Sequence, residues 1–369
     1  MNNGQLIVET AAAEVFRAPL ITPFRIATGQ HDELQNVLLH LQLADGVEGW
    51  GEAAVATHIT GETVPRTLAN LRKAAASVAG VDLADYRGVC AEFRPLFERN
   101  HAGLAAFEMA VLDAVSRSGR IPLWRLFGAK PVRLATDITI VIGSLAEAAE
   151  SARDFVRRGF RSFKIKIGGD EALDLARVLA VARIAPRSSI LLDANQGSDA
   201  LRMMRFVKRL RKHGIYPALL EQPVPRGDWD GLARLTRESG VPVCADESVR
   251  SLGEAVRAVK LGVVNAVNVK FMKSGILEGA EIARFARAHG LKLMIGAMME
   301  TALAITAAAH FAAGLACFGF IDLDTTFFVK GPWSRSPYLD NRGRFDVAEA
   351  GPGIGLVPSH WQEPHQRTK

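Results

Sequence analysis

Three acidic residues in the second half of the chain each close a short apolar run. Asp193, Glu221 and Asp246 stand about 25 residues apart. If these runs are neighbouring strands, their ends bring three carboxylates together, and like charges at close range repel unless a cation neutralises them. Ligand sets made only of oxygen atoms favour hard ions. The pattern therefore predicts a divalent metal site, with Mg²⁺ as the expected ion and Mn²⁺ as the alternative.

Lysines close two other runs, one before and one after the acidic residues. Lys164 and Lys166 end the preceding run and share one strand face, because side chains alternate along a strand. Two ammonium groups held close lower each other's pKa, so we expect one lysine of the pair to act as a base near neutral pH. Lys270 ends a later run. In an eight-stranded barrel it would face Lys166 across the metal site.

This arrangement suits the removal of a proton from a carbon next to a carboxylate. Such a carbon acid is too weak for a side-chain base alone, but a metal that binds the carboxylate stabilises the enediolate formed when the proton leaves. With Lys166 on one face and Lys270 on the other, one lysine removes the proton and the other returns one. The predicted outcome is inversion of the stereocentre.

A second acidic motif closes the last apolar run. Asp322 and Asp324 share a strand face. In barrel order they stand about opposite Glu221 and therefore away from the metal. We do not expect them to bind the same ion. Their natural partner is a cation at the far end of the substrate, such as an α-ammonium group.

The elements that must position these residues repeat along the chain. From residue 134 to 321, apolar runs alternate with amphipathic segments about every 25 residues, which is typical of β/α units with parallel strands. The eight runs are 134–141, 162–167, 189–193, 217–221, 241–246, 265–270, 291–295 and 318–323. An α/β fold of the (β/α) barrel type fits best, with its active site at the C-terminal ends of the strands. A doubly wound sheet is the alternative, but no glycine fingerprint follows its first strand.

Residues 1–130 show a different pattern, which predicts a separate α+β domain ahead of a barrel at 131–325. The strand-like segments are 5–16, 37–43 and 47–51, and the helical segments are 63–79 and 103–119. The tail at 326–369 is rich in Gly and Pro. Because it is too short to fold alone, we expect it to pack on the first domain.

Composition excludes several classes of protein. The 369 residues are 49% hydrophobic and 23% charged, which is typical of a globular chain and excludes disorder, collagen and coiled coils. Cys90, Cys244 and Cys317 are far apart and odd in number. We therefore expect a reducing, cytoplasmic environment and no disulfide framework. The first ten residues lack the basic and then apolar order of a signal peptide.

Neither nucleic acid nor a membrane is an expected partner. The formal net charge is +6, and the densest basic run, 202–213, alternates with apolar residues at helical spacing. That spacing predicts a helix with one solvated face rather than a nucleic-acid patch. An uncharged stretch at 302–321 is rich in Ala and Gly and contains Thr306 and His310. It predicts a buried helix rather than a membrane span.

Each of the polar residues above also has a purely structural interpretation. A single Lys or Asp is most often a solvated surface residue. Asp193, Glu221 and Asp246 could each cap the helix after its strand, and Asp322 and Asp324 could pair with arginines. The order base, ligand, ligand, ligand, base at successive strand ends favours a catalytic site over these separate explanations.

A set of short motifs extends over nearly the whole chain. It consists of Gly49-Trp50-Gly51-Glu52-Ala53, Lys164-Ile165-Lys166, Asp193-Ala194-Asn195, Glu221-Gln222-Pro223, Ala245-Asp246-Glu247-Ser248 and Lys270. This set resembles the enolase superfamily, muconate-lactonizing-enzyme subgroup, in which a Lys or His base works with Mg²⁺. The resemblance implies a modified TIM-type barrel, (β/α)7β, under an α+β capping domain that the C-terminal tail completes.

The resemblance also implies roles for individual residues. Asp193, Glu221 and Asp246 would bind Mg²⁺, Lys166 and Lys270 would form the acid/base pair, and Lys164 would help to hold the substrate carboxylate. Further substrate contacts are expected from Asp322, Asp324, Asn195, Met298, Thr139, Gly29 and His58.

Within the subgroup, Asp322 and Asp324 favour a dipeptide epimerase, an isomerase that holds the free amino group of its substrate with an Asp-x-Asp motif. Residues 296–301 and 306–310 also resemble that group. The alternatives are o-succinylbenzoate synthase, N-acylamino acid racemase and muconate cycloisomerase chemistry, which share the lysines and metal ligands but do not need the Asp pair. Mandelate-type members place a His near the seventh strand end, and residues 292–301 contain none.

One departure from the family pattern concerns specificity. Ala-Glu-specific epimerases carry an arginine in the mobile loop after the first strand, where this chain has Gly29. Strict Ala-Glu specificity is therefore not expected. The loop residues that would cover the second side chain are His31, Asp32, Glu33, His58 and Ile59, and they leave apolar and cationic preferences both open. Barrels of this type often associate, so the resemblance also predicts a homo-oligomer.

Overall fold

The structure, a computed structural model, describes residues 6–26 and 29–358. Its N-terminal region contains a three-stranded antiparallel sheet of β1 (Val8–Ile26), β2 (Gly29–Leu43) and β3 (Glu48–Ala54). Four helices follow, namely α1 (Thr57–Thr60), α2 (Val64–Val78), α3 (Tyr86–Phe93) and α4 (His101–Ser118). Gly49 and Gly51 let α4 lie directly on β3, because a Cβ at either position would collide with a backbone oxygen of α4.

The first hairpin is longer than the sequence pattern predicts. Strand β1 reaches Ile26 and β2 begins at Gly29, so that Phe24 pairs with His31. The expected loop after the first strand is therefore largely paired strand. A register shift between Pro19 and Phe24 separates this tip from the rest of the ladder. The sequence of the tip lacks a clear apolar alternation. Backbone pairing across the hairpin forms the strands there without it, so the pattern does not reveal them.

The eight apolar runs form the eight strands of one parallel sheet. In chain order, the elements are β4 (Leu134–Ala135), β5 (Ile138–Ile140), α5 (Leu145–Arg158), β6 (Ser162–Lys166), α6 (Glu171–Ile184), β7 (Ser189–Asp193), α7 (Ala200–Lys212), β8 (Leu219–Glu221), α8 (Trp229–Glu238), β9 (Val243–Ala245), α9 (Leu252–Leu261), β10 (Ala266–Val269), α10 (Phe271–Ser274), α11 (Ile276–Ala288), β11 (Lys292–Gly296), α12 (Ala302–Leu315) and β12 (Phe320–Asp322). Strands β5 to β12 pair in chain order, and Asp137 N donates to Ile321 O beside the last strand. The predicted (β/α)7β barrel with a capping sheet is confirmed.

Oxygen-bearing side chains begin most of the barrel helices. Helices α5, α6, α7, α8, α9 and α12 are capped by Ser144, Asp170, Asp199, Asp228, Ser251 and Thr301, respectively. Each cap accepts a hydrogen bond from a backbone N–H group that the helix itself leaves unpaired. The residues at the strand ends are therefore free for another role, and the interpretation of Asp193, Glu221 and Asp246 as helix caps is wrong.

Helix α4 connects the N-terminal region to the barrel. Its Glu108 accepts hydrogen bonds from Ile276 N and Leu277 N at the start of α11, where Gly275 offers no side-chain cap. Helix α12 is buried as its composition predicts. Among the residues that the structure describes, no helix has the length and apolar character needed to cross a membrane.

The tail contacts both parts of the chain. Its strand β13 (Arg344–Phe345) pairs with β4 beside the barrel. Asp113 of α4 accepts a hydrogen bond from Ile354 N at 2.7 Å, and Arg117 of the same helix donates to Leu356 O at 2.8 Å. These contacts attach the tail to α4, while the domain boundaries at 130 and 325 stay a prediction.

Candidate active site

The C-terminal ends of five barrel strands converge on one site. Lys166 on β6 pairs in register with Asp193 on β7, which in turn pairs with Glu221 on β8. Asp246 directly follows β9, and Lys270 directly follows β10. Because parallel strands end at the same edge of a barrel, their order in the chain becomes an order around the opening.

Lys164 contacts three carboxylates. Its Nζ lies 2.9 Å from Asp193 Oδ2, 2.9 Å from Glu221 Oε2 and 2.7 Å from Asp322 Oδ2. Burial disfavours the charge of Lys164, but the carboxylates outweigh burial and hold its pKa well above the usual value. The expected mutual lowering of the pKa values of Lys164 and Lys166 is therefore wrong for Lys164, because its nearest neighbours are anions.

Lys166 and Lys270 stand on opposite sides of the barrel opening, since three strands separate β6 from β10. Lys166 Nζ donates to Asp193 Oδ2 at 2.7 Å and to Asn195 Oδ1 at 3.0 Å. Lys270 Nζ lies 2.8 Å from Asp246 Oδ2. Burial opposes the charge of Lys270, but Asp246 outweighs it and raises the lysine's pKa. Both lysines line the same cavity, so they can reach one ligand from two sides.

The three carboxylates beside these lysines are buried. Burial, with the neighbouring charge of Asp193, raises the pKa of Glu221 to about 7. For Asp193 and Asp246 burial acts in the same direction, but contacts with lysines overcome it and hold both pKa values below the usual range. Asn268 Nδ2 donates to Glu221 Oε1 at 2.7 Å and so orients that carboxylate. The sequence could have indicated Asn268, because it stands two residues before Lys270 and therefore on the same strand face.

The oxygen atoms of this site suit a divalent cation. Asp193, Glu221 and Asp246 offer only carboxylate oxygens, the donors that Mg²⁺ prefers. Next to them, Glu247 is fully buried, and neither of its carboxylate oxygens has a hydrogen-bond partner within the described residues. A buried carboxylate without a partner is unfavourable unless a cation or a proton neutralises it. The donor set and this carboxylate both fit a bound metal ion.

Lys273 ties two strand ends together beneath the site. Its ammonium group is buried, lies 2.7 Å from Asp246 Oδ1 and donates to Asp246 O and Asn268 O, each at 2.7 Å. It also donates to Val249 O at 3.1 Å. These bonds hold the loop after β9 against α10. The sequence analysis does not predict a role for Lys273. The feature that could have indicated one is its position, one helical turn after Lys270.

A second group of carboxylates lies between the last and first strands. Asp137, Asp322 and Asp324 are buried, and their carboxylate oxygens lie within 4.8 Å of one another. Asp324 Oδ2 accepts a hydrogen bond from Thr139 N at 2.6 Å. Neither carboxylate oxygen of Asp137 has a hydrogen-bond partner in the part of the chain that the structure describes. Asp322 and Asp324 line the cavity, where their charge suits a cationic group.

Asp137 is a member of this group that the sequence pattern does not single out. It stands two residues before Thr139 and therefore on the same strand face. Burial, followed by the charges of Asp322 and Asp324, raises the pKa of Asp137 well above its usual value. Burial and the charge of Asp322 raise the pKa of Asp324 to about 6. Burial and like charges therefore disfavour the ionised form of both carboxyl groups.

One cavity joins Lys166 and Lys270 to the carboxylates of Asp322 and Asp324, whereas Asp193, Glu221 and Asp246 are not among its lining residues within the described part of the chain. The sequence-predicted residues that line it are Thr139, Lys164, Lys166, Asn195, Lys270, Met298, Asp322 and Asp324. Ile59, one of the loop residues expected over the second side chain, also lines it. The lining residues that the sequence pattern does not predict as contacts are Phe24, Ala56, Ala297, Met299 and Thr325. Most of this second set is apolar. Because Phe24, Ala56 and Ile59 come from the N-terminal region, that region supplies an apolar wall opposite the polar strand ends.

Two predicted substrate contacts, at His58 and Gly29, lie in the N-terminal region. His58 is exposed and is not among the residues that line the cavity, whereas its neighbour Ile59 is. Both residues are expected in the loop over the second side chain, and successive residues of a short helical turn point in different directions, so one of the two lines the cavity. Gly29 is the first residue of β2 and pairs with Ile26. The predicted contact at Gly29 stays a prediction.

Two family models match the chain. The model described as "Mandelate racemase / muconate lactonizing enzyme, N-terminal domain" matches residues 9–128. The model described as "Enolase C-terminal domain-like" matches residues 147–362. The two matches together extend over the N-terminal sheet, the barrel and the tail.

Relatives and solved structures match over nearly their full length. The chain is 62% identical over 359 residues to the "Hydrophobic dipeptide epimerase" of Citrifermentans bemidjiense, covering 95% of this chain and 98% of that protein. It is 38% identical over 352 residues to the "Aromatic dipeptide epimerase" of Herpetosiphon aurantiacus, covering 95% and 99%. A crystal structure of the dipeptide epimerase from Enterococcus faecalis, complexed with Mg and the dipeptide L-Leu-L-Tyr, matches with a TM-score of 0.87 at 28% identity and covers 95% of this chain and 100% of that chain.

Proposed function

This chain belongs to the mandelate racemase/muconate lactonizing enzyme family, and we propose that it is a dipeptide epimerase that inverts Cα of an apolar C-terminal residue. One observation carries the proposal. The same cavity is lined by two lysines from opposite strands, by the Asp322 and Asp324 carboxylates, and by the apolar side chains of Phe24, Ile59 and Met298. The relatives named above for hydrophobic and aromatic dipeptides agree with that apolar lining.

A dipeptide presents the groups that these side chains bind. Its N-terminal ammonium group suits the carboxylates of Asp322 and Asp324, because charge-assisted hydrogen bonds are the strong ones. Its C-terminal carboxylate suits the ammonium group of Lys164. An apolar side chain on the reacting residue suits Phe24 and Ile59, and burying it contributes about 1.5–3 kcal/mol to binding. An acidic or cationic side chain at that place would lose solvation without gaining a partner.

Asp193, Glu221 and Asp246 are the residues that we assign to Mg²⁺, the ion of the Enterococcus faecalis complex. When bound, a divalent cation draws electron density from the substrate carboxylate and so makes the neighbouring Cα–H group more acidic. Asn268 supports the assignment, because its bond to Glu221 Oε1 orients a carboxylate ligand. Mn²⁺ stays the predicted alternative.

Proton transfer is assigned to Lys166 and Lys270. On one face of the substrate, a neutral lysine takes the Cα proton, and on the other face an ammonium group donates a proton to the same carbon. The contact between Lys270 Nζ and Asp246 Oδ2 at 2.8 Å stabilises the ammonium form, which suits the donating role. The bond from Lys166 to Asn195 fixes the direction of the other lysine.

The alternative chemistries on this scaffold are less well supported. Succinylbenzoate synthesis, acylamino acid racemisation and muconate cycloisomerisation do not need a pair of carboxylates for a free amino group. With such substrates, Asp322 and Asp324 would face the cavity with Lys164 as their nearest cation. Lys164 is one cation shared among three carboxylates, and burying carboxylate charge that is not fully compensated is costly, so the presence of Asp322 and Asp324 favours a substrate with an ammonium group.

Two further expectations stay predictions of the sequence. Cys90 and Cys244 are buried and unpaired, in agreement with the predicted reducing, cytoplasmic environment. The homo-oligomer is predicted from the family resemblance.

Deuterium uptake tests the proposed function. The enzyme with Mg²⁺ is incubated in deuterium oxide with L-Ala-L-Leu, L-Ala-L-Phe, L-Ala-L-Glu and L-Ala-L-Lys, and each product is analysed by mass spectrometry and chiral chromatography. We expect a gain of one mass unit and formation of the L,D product with Leu and Phe, at least about tenfold faster than with Glu or Lys. N-acetyl-L-Ala-L-Leu, which lacks the ammonium group, is the matched control and should react poorly.

Two outcomes would contradict the proposal in different ways. Uptake that is fastest with L-Ala-L-Glu or L-Ala-L-Lys would reject the apolar preference but keep the epimerase. Absence of uptake from every dipeptide would reject the dipeptide epimerase itself.

A further inference from the structure

The segment that carries Ile59 contacts the apolar core through two side chains, the buried Ala56 and the half-buried Ile59. It runs from residue 56 to 62 and contains α1, none of whose four residues is buried. We call it the covering segment. Internal hydrogen bonds shape it, since Thr57 Oγ1 donates to Glu62 O at 2.7 Å and Thr60 Oγ1 donates to Ala56 O at 3.2 Å. Such bonds fix the local conformation but not the position of the segment over the cavity.

The C-terminal end of the covering segment is attached to α4. The Glu62 carboxylate accepts hydrogen bonds from His101 N at 2.9 Å and Ala102 N at 3.1 Å, and also from Asn100 Nδ2 at 3.0 Å. It therefore satisfies backbone N–H groups at the helix N-terminus. This end of the segment belongs firmly to the N-terminal region, whereas Ile59 lies three residues earlier and lines the cavity.

A side chain of the barrel reaches the segment at Ile59 itself. Arg250 Nη2 donates to Ile59 O at 2.8 Å. Arg250 follows Asp246 by four residues on the loop after β9, and its own backbone N–H donates to Glu254 Oε2 at 2.7 Å. The preceding residue, Val249, is held through its carbonyl by Lys273. Arg250 thus projects from a fixed loop.

A second cavity lies behind the covering segment. Thr60 and Glu62 of the segment line it, together with Arg250 and Glu254 of the barrel. Because this cavity borders the covering segment, packing from that side does not fix the distance between Ile59 and the substrate cavity. A charge-assisted hydrogen bond at the position of Ile59 can do so.

We propose that Arg250 is a positioning residue that determines substrate specificity, because its hydrogen bond to Ile59 O sets the size of the apolar part of the substrate cavity. With Ile59 held in place, apolar C-terminal side chains that fit against it bind well and others bind less well. Without this bond, the segment moves into the space behind it and the discrimination weakens. The inference rests on the proposed dipeptide epimerase and deepens it.

The test compares Arg250→Met, which removes the donor but keeps an unbranched side chain, with Arg250→Lys, which keeps a charged donor. The probes are L-Ala-L-Val, L-Ala-L-Leu and L-Ala-L-Phe with the Mg²⁺-loaded enzyme. For the best of these, we expect Arg250→Met to raise KM about tenfold with kcat within about twofold. The ratio of kcat/KM between the best and the worst dipeptide should shrink, and Arg250→Lys should recover most of it.

Arg226→Met is the matched control. Arg226 Nη2 lies 2.6 Å from Glu254 Oε1, so this variant disturbs the same acidic partner but not the bond to Ile59. It should keep the wild-type selectivity. If Arg250 acts through the side chain of Ile59, the double variant Arg250→Met with Ile59→Ala should be no less selective than Ile59→Ala alone, because Ile59→Ala already removes the side chain that the bond positions.

The outcomes separate this inference from the proposed function. A wild-type enzyme that exchanges no dipeptide proton rejects the proposed function. A wild-type enzyme that is active, together with unchanged selectivity in Arg250→Met, rejects the role of Arg250 alone. If Arg250→Met does not fold, as judged by circular dichroism, Arg250→Leu, which also lacks a donor, takes its place with the same expectations. A loss of kcat without a change in selectivity would also overturn the proposal.

Discussion

Two groups of buried carboxylates occupy the same barrel, and they differ in the cations around them. The metal-side group consists of Asp193, Glu221 and Asp246. The amine-side group consists of Asp137, Asp322 and Asp324. Four lysines contact the metal-side group, namely Lys164, Lys166, Lys270 and Lys273. In the amine-side group, Asp322 forms an ion pair with Lys164, which the metal-side group shares.

The difference explains why the same residue type behaves differently on the two sides. Lysine contacts hold the pKa values of Asp193 and Asp246 below their usual range. On the amine side, burial and like charges raise the pKa of Asp324 to about 6 and that of Asp137 well above its usual value. Carboxylates that are not neutralised by the protein have the most to gain from a cationic ligand. The amine-side group is therefore the one that a substrate ammonium group completes.

The largest expected effect is on the lysines of the metal side. Lys166→Ala and Lys270→Ala should each lower epimerisation about 10³-fold, because each removes one of two proton-transfer groups. Chiral chromatography measures the loss. Each variant should still exchange deuterium into one of the two epimers, because the remaining lysine faces one side of Cα. The epimer that Lys166→Ala exchanges should be the opposite of the one that Lys270→Ala exchanges.

Mg²⁺ binding is the control for the lysine variants. Isothermal titration calorimetry should detect binding in both, since neither substitution removes a carboxylate of the metal-side group. Full epimerisation in either variant would be incompatible with a mechanism that uses two bases.

The next largest effect is expected on the amine side. Asp322→Asn removes one charge that faces the substrate ammonium group, so KM for dipeptides should rise about 10- to 100-fold while kcat changes less. Steady-state kinetics measures both parameters. Asp154→Asn, at an exposed aspartate of α5, is the control and should leave KM unchanged. An unchanged KM in Asp322→Asn would show that the amine-side group does not bind the substrate ammonium group through the charge of Asp322.

A smaller effect is expected from pH. With its pKa at about 6, Asp324 is mostly ionised at pH 7 and mostly protonated at pH 5. KM for an apolar dipeptide should therefore rise about tenfold as the pH falls from 7 to 5. The acid limb of the KM profile should flatten in Asp324→Asn. A KM that stays constant over this range in the wild-type enzyme would show that the charge of Asp324 does not bind the substrate.

The smallest effect is expected at Asp137. Burial and the charges of Asp322 and Asp324 raise the pKa of Asp137 well above its usual value and so disfavour its charged form. Asp137→Asn keeps the shape and polarity of the side chain without that charge. We expect kcat and KM within about threefold of wild type and a change in unfolding free energy of about 1 kcal/mol or less. Thermal denaturation and kinetics measure these. An increase in KM as large as that of Asp322→Asn would mean that Asp137 carries a charge and that the amine-side group holds three.

Much of the fold and the polar half of the site could be predicted from residue order. Apolar runs at a regular spacing indicate parallel strands, and parallel strands place their ends at one edge. Lys166, Asp193 and Glu221 therefore stand side by side in the structure, as their positions at strand ends imply. No contact between distant parts of the chain is needed for that inference, because the repeat itself brings the ends together.

The apolar half of the cavity could not be predicted in the same way. Phe24 lies in a hairpin tip that the pattern assigns to a loop. The pattern predicts both His58 and Ile59 over the second side chain, and only the structure distinguishes Ile59 as a lining residue of the cavity. These residues belong to the N-terminal region, and their place over the barrel depends on contacts between distant residues. The bond from Arg250 to Ile59 spans 191 positions of the sequence, and no local periodicity encodes such a pairing.

Charge states were also decided by tertiary structure. From the spacing alone, Lys164 and Lys166 should lower each other's pKa, yet the carboxylates around Lys164 raise its pKa. Residue order determines which titratable groups stand at the strand ends and hence which chemistry is available. Which of them are charged depends on burial and on the distance to every neighbour, and those quantities exist only once the barrel has closed and the N-terminal region covers it.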